Sequence, residues 1–145
     1  MIPFFLLIAS LLLFRGLGLA GIDIFSTWQD STRFALALMF LFTASAHFTK
    51  MKKNLINMVP KTFPFPKQIV FLTGIFEIAG AIGILIPQVM SWTGWCLAIL
   101  MLAMFPANYN ATKNNITLRG KQPTPLFIRL PMQIVFIILT LWATQ

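Results

Sequence analysis

Three acidic residues, one histidine and one cysteine are all that this chain of 145 residues contains of those types. These scarcities narrow the chemistry first. Cys96 alone excludes an intramolecular disulfide, a C-x-x-C redox pair and a thiolate metal site. A single thiol in an apolar stretch reads as packing. His47 alone rules out bis-histidine haem ligation within one chain. Asp23, Asp30 and Glu77 leave little for a metal site. Charge of either sign is also scarce, at 10% of residues against about 25% in soluble domains. In its place stand 58% hydrophobic residues and a mean hydropathy of +0.83, which define an integral membrane protein. The net charge of +8 would suggest nucleic acid in a soluble protein. Here the positive-inside rule accounts for it, and no nucleic-acid partner is expected.

The chain divides into five apolar segments with short links. Ile2 to Ile22 is the first. It has no basic residue ahead of its apolar run and Arg15 interrupts it, so it reads as a retained helix, not a signal peptide. Asp30 or Ser31 is expected to cap the second helix, which runs to about Lys53. Residues 49–67 hold five lysines and three prolines. Pro60, Pro64 and Pro66 forbid a regular helix there. Phe63 and Phe65 predict an extended segment at the membrane interface, held by lysine contacts with anionic lipid. The third apolar segment is Gln68 to Pro87. The fourth runs from about Ser91 to Thr112, with a kink or early end near Phe105 imposed by Pro106. Thr124 and Pro125 read as cap and first residue of the last helix, which ends near Thr144.

Topology follows from the charges. Nine of the eleven basic residues fall in the 49–67 link and the 112–129 region. That side is expected to be cytoplasmic. The N-terminus is then inside and the C-terminus outside the cell membrane. Trp28, Trp92, Trp95 and Trp142 fall together at the outer interface, as an aromatic belt does. The sequons at Asn110 and Asn115 lie on the cytoplasmic side and are discounted.

Glu77 is the one charged residue between Gln68 and Pro87. A carboxylate there costs several kcal/mol in lipid unless it is paired or neutralised. Its helical neighbours at spacings of three and four are Thr73, Gly74, Gly80 and Ala81, all small. Glu77 should therefore face a partner helix, with Phe71, Leu72, Ile75, Ile78 and Ile82 turned to lipid. At 1.5 Å per residue Glu77 lies roughly 15 Å from the inner end of its helix, and Arg15 roughly 18 Å from that of its own. Arg15 either snorkels to the outer headgroups or is the counter-ion of Glu77. His47, Asn108, Arg129 and Gln133 lie nearer the inner face. Each has an ordinary structural role open to it. Together with Glu77 they form a candidate intramembrane polar site.

The ordered set FTASAHF at 42–48, MVPKTFPFP at 58–66, LTGIFEIAGAIGILIP at 72–87, FPAN at 105–108 and RLPMQ at 129–133 resembles the DoxX-like family of small integral membrane proteins. The resemblance implies a single all-α membrane domain. Residues 31–145 would form a four-helix transmembrane bundle, with 1–22 as an additional N-terminal transmembrane helix. It carries over His47, Glu77, Asn108, Arg129 and Gln133, but not Arg15. The family is named by relation to a small subunit of a thiosulfate:quinone oxidoreductase. It therefore implies a redox-associated, quinone-linked membrane subunit, with quinone as the cofactor and an oxidoreductase subunit as the partner. No cofactor motif stands in the chain itself. A non-enzymatic assembly factor or scaffold is the alternative, and a small transporter or proton channel the third. The lipid bilayer and a second copy of the chain, in a homo-oligomer, complete the expected partners.

Overall fold

The computed structural model describes residues 2–117, 122 and 124–145. Arg119 and Lys121, two of the basic residues assigned to the cytoplasmic side, lie outside the described residues. Every regular element among the described residues is helical. The order is α1 (Ile2–Leu19), a 3-10 turn (Asp23–Phe25), α2 (Trp28–Phe48), α3 (Lys52–Met58), α4 (Pro66–Gly83), α5 (Met90–Ala103), α6 (Phe105–Lys113) and α7 (Leu126–Thr144). The all-α class expected from the sequence is the class observed. Three stretches are long and apolar enough to cross a membrane: α1, α5 with α6, and α7. The α2–α3 pair, bent by 91°, makes a fourth if it is counted as one span. α4 is not among them, since its 18 residues include Lys67, Gln68 and Glu77.

Several boundaries differ from expectation for local reasons. α2 is capped by Thr27, not by Asp30 or Ser31: its side chain accepts from the Asp30 amide at 3.0 Å. Thr27 and Asp30 stand in the spacing of a capping box, which moves the start of the helix to Trp28. The 49–67 link is not wholly extended. Lys52 to Met58 precedes all three prolines and forms α3, which stops where Pro60 holds Val59 extended at φ −65° and ψ 127°. α4 starts at Pro66, directly after Phe65 in the left-handed region at φ 56°. It ends at Gly83, four residues before Pro87. The break expected near Phe105 falls at Met104, between α5 and α6.

α2 is the central helix. It packs against α1, α4 and α7, while α5 packs on α7 and α4. Leu7, Leu36, Met39, Ile84 and Leu97 are enclosed in one core. The outward faces are apolar too, with Phe5, Leu12, Ile99, Leu102, Phe127 and Ile138 all exposed. Soluble monomers rarely expose contiguous apolar surface on this scale, and it is compatible with a lipid surround. The two ends of the molecule differ in chemistry. Gln29 Nε2 donates to Trp142 O at 3.2 Å and Ser91 Oγ to Thr144 O at 2.9 Å. These bonds gather the starts of α2 and α5 and the end of α7, and with them all four tryptophans. The opposite end collects Lys50, Lys52, Lys53 and Lys67.

Candidate functional site

His47 lies in the last turn of α2, and Glu77 lies within α4. Both are buried, at 7% and 3% exposure. Gly74, three residues before Glu77, lets the two helices meet. A Cβ there would stand 2.6 Å from His47 Cβ and 2.9 Å from its Cγ. Small residues allow this kind of close backbone approach between apolar helices.

The imidazole is held at both nitrogens. Nδ1 lies 2.6 Å from Val70 O, and Nε2 lies 3.5 Å from Glu77 Oε1. A carbonyl only accepts, so Nδ1 carries a hydrogen. The Thr73 hydroxyl, 3.3 Å from Nδ1, reaches the carbonyls of Ile69 and Val70 at 3.0 Å each. On the carboxyl side, Thr43 Oγ1 donates to Glu77 Oε2 at 2.8 Å or to Phe40 O at 3.0 Å. With Nδ1–H committed to Val70, the Nε2–Oε1 contact needs one proton, or two lone pairs face each other. That proton sits on nitrogen, giving an ion pair, or on oxygen, giving a neutral pair. Both forms have zero net charge, which keeps the cost of burial low.

The other candidates form a second group. Arg129 Nη1, in the first turn of α7, donates to Asn108 Oδ1 on α6 at 2.9 Å. Gln133 Nε2 donates to Met101 O at 2.6 Å, close to the α5–α6 break. Gln133 also borders a cavity of about 210 Å³ with Leu102, Phe105, Leu130, Ile134 and Ile137. Among the described residues no hydrogen bond joins this group to His47 and Glu77. The five candidate residues thus make two polar groups, one between α2 and α4 and one among α5, α6 and α7.

The pairing of Arg15 with Glu77 is corrected by the structure. Arg15 Nη1 donates to Ser26 O at 2.7 Å and to Phe25 O at 3.5 Å, and its guanidinium lies 5.3 Å from the Trp28 ring centroid. Gly18 is the reason. A side chain there would collide with the Phe25 carbonyl, so its absence lets the 3-10 turn fold back onto α1. The turn then presents its carbonyls to Arg15. Thr43 is the residue that reasoning from the sequence missed. It stands four residues before His47 and so on the same helical face, a signal that was there to be used. Arg33 was passed over as well: it pairs with Asp30 and points Nη1 at Met90 Sδ. Among the described residues no three of His, Cys, Asp and Glu are grouped so as to hold a metal ion.

The fold and site describe an all-helical protein with three membrane-length apolar helices and a buried histidine–glutamate pair. Residues 36–145 match the family described as Domain of unknown function (DUF8561), and the chain belongs to that family. No curated protein and no solved structure matches it.

Proposed function

We propose that this chain is a multi-pass membrane protein of the DoxX-like type. It acts as a membrane subunit associated with quinone-linked redox chemistry. His47 and Glu77 keep one exchangeable proton inside its helix bundle. The lysine end faces the cytoplasm and the tryptophan end faces outward, following the positive-inside and aromatic-belt rules. α1 is the added crossing, and the helices from α2 to α7 supply the four-helix bundle. α4 crosses in company, with its small-residue face on α2.

The one-proton contact between His47 Nε2 and Glu77 Oε1 carries this proposal. A quinone, when bound, supplies coupled electron and proton exchange. The cavity beside Gln133 suits its ring, having apolar walls and one amide. At about 210 Å³ it is smaller than the roughly 300–1,000 Å³ of pockets that enclose whole ligands, so an isoprenoid tail would lie in lipid. Gln133 spends one N–H on Met101 and keeps the other for an acceptor in the cavity.

One observation favours a scaffold or assembly factor instead. The His47–Glu77 pair is enclosed and fully partnered, as a structural clamp between two helices would be. Purification from native membranes in mild detergent separates the two. A stoichiometric dehydrogenase with bound quinone is the expected result, whereas a biogenesis partner without quinone assigns the scaffold role. Added ubiquinone or menaquinone should raise the melting temperature. No rise at saturating quinone removes the redox proposal.

A further inference from the structure

A second site lies at the lysine end, apart from both polar groups and independent of any redox role. The chain turns by 91° between α2 and α3, then returns to enter α4. The turn leaves an open basin of about 610 Å³ lined by Thr49, Lys50, Lys52, Lys53, Ile56 and Lys67. Four lysines thus line it, from the α2–α3 turn, α3 and the first turn of α4. Among the described residues no carboxylate lies within ion-pair distance of them. The chain has none nearby to offer. Glu77 is committed to His47 and Asp30 to Arg33. Asp23 and Asp30 flank the start of α2, whose 21 residues put them about 30 Å from its far end.

The surroundings of the basin specify the ligand further. Lys52 Nζ sits 5.5 Å from the Phe71 ring centroid, and Phe71 meets Phe48 edge-on at 5.8 Å. Phe71, Leu72 and Ile75 continue from there as an exposed apolar strip along α4. A cationic basin therefore leads directly onto an apolar helix face. A free anion would use only the first part. An amphiphile with an anionic head and acyl chains uses both.

We infer that this basin binds the phosphate-bearing headgroup of an acidic phospholipid, with its acyl chains along Phe71, Leu72 and Ile75 of α4. Basic recesses at the cytoplasmic ends of membrane helices bind such headgroups, and each basic residue contributes to the affinity.

Purified protein in neutral detergent is titrated with cardiolipin, with phosphatidylcholine and with inorganic phosphate. Binding is read by native mass spectrometry and by melting temperature. Cardiolipin should bind saturably at one per chain, and phosphatidylcholine should not. Lys52→Gln with Lys67→Gln should weaken cardiolipin binding by about fivefold per lysine. Lys61→Gln removes one charge, as each basin substitution does singly, at an exposed lysine of the same link that does not line the basin, and it should change binding little beside the loss of about fivefold per basin lysine. Lys67 is exposed, Lys52 is half-buried with only the Phe71 ring contact to lose, and neither has an ion pair among the described residues. The variants should therefore fold, with a melting temperature without lipid close to the wild type. Equal weakening by Lys61→Gln reduces the effect to net charge and overturns the site. Binding of inorganic phosphate without cardiolipin overturns the lipid assignment.

Discussion

Replacing Glu77 by glutamine tests the protonation logic of the buried pair, because glutamine keeps the shape and supplies a donor of its own. Its amide N–H can donate to His47 Nε2 while Nδ1–H remains on Val70 O. Its carbonyl can take the Thr43 hydroxyl now aimed at Oε2. Both imidazole nitrogens and the amide oxygen then have partners, and Glu77→Gln should cost less than about 1 kcal/mol, within the range of one net hydrogen bond. Glu77→Ala is different. It strips Nε2 of its partner in a site where histidine is 7% exposed. Removing one member of a buried pair costs about 3–5 kcal/mol, and His47→Ala should cost a similar amount. The double alanine variant should lose less than the two single losses summed, since neither remaining group is stranded. Denaturant titration in mixed micelles measures all four stabilities. Glutamine and alanine equally destabilising, or alanine losses that simply add, would refute the shared proton.

Two further perturbations probe the surroundings. Gly74→Ala places a methyl group 2.6 Å from His47 Cβ, an atom fixed to the α2 backbone, so α2 and α4 must separate. It should cost about 1–3 kcal/mol, the range for overpacking, and shift the His47 imidazole resonances in NMR spectra. Arg15→Leu and Glu77→Leu should be additive within about 0.5 kcal/mol, as expected of sites that share no partner. A stability coupling above that value would restore Arg15 as the counter-ion.

The helical class and the break before Pro106 were legible because apolar length and proline chemistry act locally. So was the face on which Glu77 lies, because helical spacing alone puts Gly74 and Gly80 beside it. The identity of its partner was not legible. Depth along a helix axis favoured Arg15, but depth says nothing about rotation around the axis. Gly18 turned Arg15 to the carbonyls of the 3-10 turn instead. α3 was hidden for a similar reason. Proline at 60, 64 and 66 spoke for the whole link, although a proline constrains only itself, the residue before it and the carbonyl four residues back, which leaves most of Lys52 to Met58 free to coil. Nor could spacing reveal that Asn108, Arg129 and Gln133 would pair among themselves and with Met101, away from His47, since helix order in space is set by packing around α2.

α4 lacks the apolarity to stand among the membrane-length helices, yet it holds the most buried acid of the chain. Its inward face is finished by atoms of α2: the His47 ring over Gly74 and the Thr43 hydroxyl on Glu77. A bilayer meeting α4 alone would meet a carboxyl group, whereas a bilayer meeting α4 on α2 meets mainly hydrocarbon. The order of assembly follows from that difference. If α4 crosses a bilayer as proposed, α2 has to be in place before α4 settles, and a lesion at Thr43, His47 or Gly74 would register as failed insertion of α4.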